Sequence, residues 1–342
     1  MGEHNATDQS YESKENRIRE MQTGCVRRKM ESRTIMKKPI IAASFSGGET
    51  SGVMTKLLFD KYSATHNVVI TFANTGQEHE NTLKFVNDCD KHFGWNVVWI
   101  EAVVNPEKGK GIRHKVVTYE TAARNGEPLE ADFAKHGLPG PGWMHCTRDT
   151  KELPIEDYFK SVHGLKKGEY PLSIGIRADE MDRMSPARHK RKIIYPLIDA
   201  KWTKEDVKAE IASWPFQLEL ESAAHGNCLF CFKKSRRKLL TLAKESPHVF
   251  DFAKKVEELY STRVNFKPMR VGVLWVLGWH VTTTYMFRDN MTATDLIDMA
   301  NTLEFEPYRD QNQTQMFSNA SYDLFLDTGS ACGESCEIGA DD

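Results

Sequence analysis

The order of apolar runs and amphipathic segments predicts an α/β fold, a doubly wound and mainly parallel sheet with a mainly helical C-terminal extension. Three observations carry that expectation. Residues 39–104 alternate strand-like and helix-like patterns, which implies parallel pairing through right-handed crossovers. A glycine-rich stretch, SFSGGETSGVMTKLL, sits where the first strand gives way to the first helix. From about Lys233 to Leu303 the spacing is mainly helical.

Each element follows from its own stretch. Residues 1–36 are polar and charged without a hydrophobic period, so a disordered arm is expected, and its Arg27-Arg28-Lys29 patch reads as solvated charge or a polyanion contact. IIAASF is the first buried strand and TSGVMTKLLFDKY the first helix; NVVITFA, HENTLKFVNDCDKHFG and NVVWIEAVV are the next strand, helix and strand. Such sheets bind ligands beyond the carboxyl ends of their strands, where Ser44–Ser51 and Asn74–Glu78 fall. Residues 105–145 are rich in Gly, Pro and charge, which predicts a long loop or lid. YPLSIGIRA reads as a further strand before the charged turn ADEMDRMSPARHKRK. TKEDVKAEIASW is a helix with Thr203 as N-cap and Asp206 three residues on. The chain therefore divides into an arm (1–36), an α/β domain (37–215), a helical cysteine-containing region (216–304) and a flexible tail with a Cys-x-x-x-Cys pair (305–342).

Bulk properties narrow the functional classes. The 342 residues are 40% hydrophobic and 27% charged, enough for a full core, and a net charge of −2 gives no overall attraction to nucleic acid or membrane. No apolar stretch reaches membrane-spanning length and no signal-peptide apolar region is present, so a cytoplasmic protein is expected. Seven cysteines, an odd number, argue against a disulfide framework and for metal, cluster or redox use of the paired ones.

The glycine stretch is built for an anion. Glycines let the backbone approach a phosphate, helix N–H groups point at it, and the hydroxyls of Ser44, Ser46, Thr50 and Ser51 add neutral donors. Neither GxxxxGK[ST] nor GxGxxG is present, and a plain Gly-Gly turn with a serine cap is the alternative. Ser46-Gly47-Gly48-Glu49-Thr50-Ser51 resembles the PP-motif of the ATP pyrophosphatase superfamily, usually SGGxDS, with Thr50 where aspartate is common. VVITFANTGQEHENTLKFV resembles the second-strand signature of the phosphoadenosine phosphosulfate (PAPS) reductase family.

The resemblance implies an adenine nucleotide α-hydrolase-like fold that binds ATP or an adenylyl sulfate. Asn74, Thr75, Gly76 and Glu78 would border the adenosine. In SIGIRADEMDRM, Arg177 and Arg183 suit phosphate or sulfate oxygens and match the family's G-x-R-x-x-E-x-x-R element. Asp179 and Glu180 could hold Mg²⁺ if ATP is the substrate; an exposed salt-bridged turn is the alternative. HCTRDTKELP is similar to the family's Cys-Cys-x-x-x-Lys-x-x-Pro element, with Cys146, Lys151 and Pro154 in register and Thr147 replacing the second cysteine.

Cys228 and Cys231 form C-x-x-C, a spacing that brings two thiolates to one metal or cluster. With Cys146 they make three ligands for a [4Fe–4S] cluster; a structural zinc on Cys228, Cys231, Cys332 and Cys336, or free thiols, are the alternatives. The tail sequence ACGESCE echoes the family's C-terminal Glu-Cys-Gly-x-His, which makes Cys332 the candidate sulfur nucleophile.

Three functions follow. The first is a PAPS-reductase-like enzyme served by a thioredoxin-like reductant. The second is an ATP-dependent sulfurtransferase acting on tRNA or DNA, for which the stretches Arg188–Lys192 and Arg236–Lys238 could steer the polyanion. The third is a non-catalytic nucleotide-binding regulator.

Overall fold

The computed structural model describes residues 38–107, 109–271 and 274–309. The architecture below is that of the unit that begins at Ile40.

The first half forms the predicted sheet. Strands β1 (Ile40–Ser44), β2 (Asn67–Ala73) and β3 (Val98–Val104) run parallel, connected by helices α1 (Glu49–Tyr62) and α2 (Glu80–Phe93). In β1 the residues Ile41–Ser44 are all buried, the both-faces burial that a central parallel strand requires. Helix α2 starts at His79, whose Nδ1 accepts from the Asn81 N–H at 3.1 Å, and stops at Gly94, held at φ 64°. The strand order is β4-β3-β2-β1-β5-β6, with β5 (Leu172–Ser173) parallel to β1 on the side away from β2. Progress through the sheet thus reverses at β1, and the crevice beyond β1 and β5 is the switch point where such sheets take ligands.

Alternation along the strands feeds two cores. Ile41, Ala43 and Phe45 pack with Met54, Phe85 and Trp214 on one face, while Ala42, Val69 and Ile100 pack with Ile155 and Phe159 on the other. The second face is covered by α4 (Leu153–Tyr158), which continues from the wider-wound turn Arg148–Glu152 and runs on into Phe159–His163. Helix α5 (Lys204–Ala212) begins as predicted: the Thr203 N–H and hydroxyl both donate to the Asp206 carboxylate, at 2.7 and 2.8 Å.

The stretch 105–145 is not the long loop that its composition suggests. It holds β4 (Ile112–Val117), an antiparallel edge strand on β3, and α3 (Glu127–His136). The outward charges of β4 that masked its pattern are what a solvent-facing edge favours. Conversely, the strand expected over 170–178 is only two residues long, and so is β6 (Ile193–Ile194).

The C-terminal part is mainly helical, with α6 (Arg236–Glu245), α7 (Asp251–Tyr260) and α8 (Ala293–Thr302) packed with α3 around Phe133, Leu240, Phe250 and Ala300. It also contains an antiparallel hairpin, β7 (Thr262–Val271) with β8 (Leu274–Thr283). The β-branched and aromatic alternation of that segment wins over the helical spacing around it. Arg237 and Lys238 are buried rather than solvated: Arg237 donates to the Glu306 carbonyl and the Lys238 ammonium lies 4.6 Å from the Tyr308 ring centre. The Arg27–Lys29 patch and the tail cysteines Cys332 and Cys336 lie outside the described residues. Among the described residues, no helix is long and apolar enough to cross a membrane.

Candidate functional site

Gly47 and Gly48 shape the turn between β1 and α1. Gly47 sits at φ 85°, where an L side chain is strained, and an added Cβ would lie 2.7 Å from Thr82 Cγ2 and 3.1 Å from the Phe72 ring. Gly48 caps α1 with no side-chain hydrogen bond, which leaves the first-turn N–H donors uncovered by its own cap. Ser51 is fully buried and its hydroxyl bridges Ser46 Oγ at 2.9 Å and the Gly48 carbonyl at 2.9 Å. Ser51 therefore fixes the loop from beneath. Ser44, also buried, ends β1.

Residues Ser46–Thr50 line an open cleft of about 830 Å³, with Lys204 and Lys208 among its other lining residues. These two lysines are i and i+4 on α5, so both reach one face of the helix. The sequence reading passed over them because nothing in α5 alone ties it to the glycine loop. Arg177 closes the switch point: its guanidinium donates to Thr50 Oγ1 at 3.1 Å, so the position that departs from SGGxDS meets the arginine directly. Asp179 lies 3.1 Å and Glu180 3.4 Å from the Arg177 guanidinium, and Arg183 lies 2.6 Å from Glu180. Both candidate magnesium ligands are thus engaged by arginine.

The Asn74–Glu78 turn is internally bonded. Asn74, fully buried, donates to Glu101 Oε1 at 2.7 Å and to the Ala123 carbonyl at 2.9 Å. Its own side-chain carbonyl accepts from the Gly76 N–H at 3.2 Å. Thr75 gives both its N–H and its hydroxyl to the Glu78 carboxylate, at 3.0 and 2.8 Å. Lys151 Nζ approaches the same carboxylate at 3.8 Å. Glu101 escaped the sequence reading because a charge inside an apolar strand gives no hint of its partner.

The cysteines converge behind this turn. Cys146, Cys228 and Cys231 line one pocket of about 450 Å³ together with Thr75, Lys151 and Lys233, and none of the three is in a disulfide. The C-x-x-C segment folds as a tight turn, the Cys231 N–H reaching the Cys228 carbonyl at 3.1 Å. It docks by main-chain pairing: the Leu229 N–H donates to the Gln77 carbonyl at 2.9 Å, and Cys228 bridges to Glu78. Burial, with the Glu78 carboxylate beside it, pushes the Cys228 thiol up. Three cysteines from two segments thus share one pocket. Cys89 is a core residue of α2, its thiol raised by burial.

Residues 40–213 match the family described as the phosphoadenosine phosphosulfate reductase domain. The chain is 30% identical over 305 residues to the uncharacterized nin region protein ORF290 of Escherichia phage lambda, an alignment that covers 87% of this chain and 95% of that protein. It is 31% identical over 167 residues to an uncharacterized protein of Methanocaldococcus jannaschii, covering 48% of this chain and 28% of that protein. With a PP-loop at the end of β1 and a family match that ends just after α5, the chain belongs to the PAPS reductase-like family of the PP-loop superfamily.

Proposed function

We propose that the protein is an enzyme of sulfur chemistry that binds an adenylyl nucleotide and works as a PAPS-reductase-like catalyst. The observation that carries this reading is the main-chain docking of Cys228–Leu229 onto Gln77–Glu78, which sets the three-cysteine pocket directly behind the turn that ends β2. Ser46, Gly47, Gly48 and Thr50 take the phosphates in the cleft that Lys204 and Lys208 also line, while Arg177 on Thr50 and Lys151 beside Glu78 supply further positive charge. Cys146, Cys228 and Cys231 would hold a [4Fe–4S] cluster, or zinc, which would supply a soft Lewis-acidic or redox centre. Cys332 serves as the nucleophile: its thiolate attacks the sulfate sulfur, the S–O bond to the nucleotide breaks, and the nucleotide leaves with that electron pair. A dithiol reductant then attacks the S-sulfonate and releases sulfite, becoming the disulfide.

The test is anaerobically purified full-length protein incubated with PAPS and a thioredoxin-type reductant. Sulfite formation, lost in Cys332→Ser, is expected. Its absence in a protein that binds the nucleotide would overturn the reductase reading.

A second reading, ATP-dependent sulfur transfer to tRNA or DNA, is favoured by one observation: three cysteines, rather than a pair, share the pocket. ATP would then be cleaved to release pyrophosphate, with Mg²⁺ as the counter-ion. Pyrophosphate release that depends on added nucleic acid marks this reading. Tight nucleotide binding with neither product marks a non-catalytic regulator.

A further inference from the structure

Two helical turns bring a second group of ligand-type side chains together outside the nucleotide cleft and the cysteine pocket. Asp132 and His136 are i and i+4 on α3, and His145 and Asp149 are i and i+4 where the chain enters the 148–163 helix. The Asp149 N–H donates to the His145 carbonyl at 2.9 Å, so that second pair also stands on one helical face. The two turns meet with His145 Nδ1 3.0 Å from Asp132 Oδ2 and 3.5 Å from Asp149 Oδ2. His136 Nε2 lies 3.9 Å from Asp149 Oδ2. Asp132, His145 and Asp149 are all buried, and one donor atom from each falls within 4.8 Å of the others.

We propose that Asp132, His145 and Asp149, with His136 as the nearest further donor, form a binding site for a divalent transition-metal ion. Donor atoms that share a metal at bond lengths of about 2.1 Å stand about 3.0–3.4 Å apart, depending on coordination number. The His145–Asp132 separation of 3.0 Å falls in that range, and the His145–Asp149 separation of 3.5 Å lies just outside it. Two carboxylates offset a divalent charge, with the Arg148 guanidinium on Asp149 leaving one positive charge over, and a mixed nitrogen and oxygen set suits Zn²⁺, Mn²⁺ or Fe²⁺ more than Ca²⁺.

The competing reading is a plain ion-pair cluster, an imidazolium between two carboxylates with Arg148 donating to both Asp149 oxygens at 2.7 and 3.1 Å. It leaves two atoms unexplained. Asp132 Oδ1 is buried without any hydrogen-bond partner, although its residue has no exposed surface, and His145 Nε2 is equally unpartnered. A buried carboxylate oxygen without a donor loses its hydration and gains nothing in return. A cation shared by both Asp132 oxygens would meet Oδ1, which the ion pair through Oδ2 does not, while His145 Nε2 is met by neither. The site joins α3 to the turn that carries Cys146, so its ion would hold one wall of the cysteine pocket in place.

The experiment must separate this site from the cysteines. Full-length protein carrying Cys146→Ser, Cys228→Ser and Cys231→Ser is stripped with a chelator and titrated with Co²⁺. Stoichiometric binding is expected, with weak visible ligand-field bands and without the intense near-ultraviolet bands of thiolate ligation. Adding Asp132→Asn should weaken Co²⁺ binding at least about tenfold. Because that variant can fail to fold, the triple-serine protein is also melted with and without Zn²⁺, where a rise in Tm is expected. No stoichiometric Co²⁺ binding and no Zn²⁺ shift would leave an ion-pair cluster and overturn the proposal. So would affinity that Asp132→Asn leaves unchanged in a folded chain.

Discussion

Glu257→Gln isolates a single buried charge. Glu257 projects from α7 to the start of α8, where Oε2 accepts from the Ala293 N–H at 2.9 Å. Its Oε1 is buried and has no partner. Burial, opposed in part by the Ala293 bond and aided by nearby Asp295, raises the carboxyl from its ordinary 4.5 to about 7. A raised folded-state pKa means that the native state holds a proton the unfolded chain has released. Below pH 4.5 both states are protonated and nothing is lost; between pH 4.5 and 7 stability falls as pH rises, by about 1.4 kcal/mol per unit. Over that window the loss reaches about 3 kcal/mol. Glutamine keeps the acceptor for Ala293 and cannot ionise. Urea denaturation of both proteins from pH 4.5 to 8.5 reads the difference, and pH effects from other groups cancel in the comparison. The variant should be the more stable above pH 7, by roughly 3 kcal/mol, and the advantage should vanish at the acid end. Parallel stability curves would refute the reasoning, since they would mean that Glu257 ionises alike in both states.

Other perturbations test the candidate site. Gly47→Ala forces an L residue to φ 85° against Thr82 and should cost about 1–2 kcal/mol in thermal stability and abolish nucleotide binding by calorimetry. Arg177→Ala removes the guanidinium that meets Thr50, and the nucleotide Kd should rise about tenfold or more, since a charge-assisted bond contributes about 1.5–3 kcal/mol. Asn74→Ala leaves Glu101 Oε1 and the Gly76 N–H each short of a partner and should lower stability by about 1–3 kcal/mol, seen as a reduced urea midpoint. Leu240→Ala hollows the C-terminal core and should cost about 2–5 kcal/mol without altering nucleotide affinity at saturating folded protein.

The sequence disclosed what periodicity and turn chemistry encode locally. The three parallel strands, the glycine loop and the Thr203–Asp206 start of α5 rest on short-range signals, and each stands where its residues placed it. Strand β4 and the 262–283 hairpin did not show, because an edge strand carries charge outward and a hairpin takes its stability from a partner strand that no window contains. At the site, composition indicated which residues bear chemistry but not where their bonds go. Ser51 and Asn74 are of donor type, yet the fold spends their polar groups on the loop and on Glu101. Asp132 and His145 sit in segments with no common signal, and only the packing of α3 against the 145–149 turn brings them to one point.

The pairing of Leu229 with Gln77 has a thermodynamic consequence. Two backbone segments that share hydrogen bonds also share the entropy of becoming ordered, so whichever is immobilised first lowers the ordering cost of the other. If the two pockets are occupied as proposed, any coupling carried by this pairing is one common factor, identical in both directions. If the cysteines hold a cluster or zinc as proposed, a preparation stripped of it should bind nucleotide more weakly even with every residue of the glycine loop intact. Affinities measured on oxidised protein would describe a different partition of states from those of the molecule in a reducing environment.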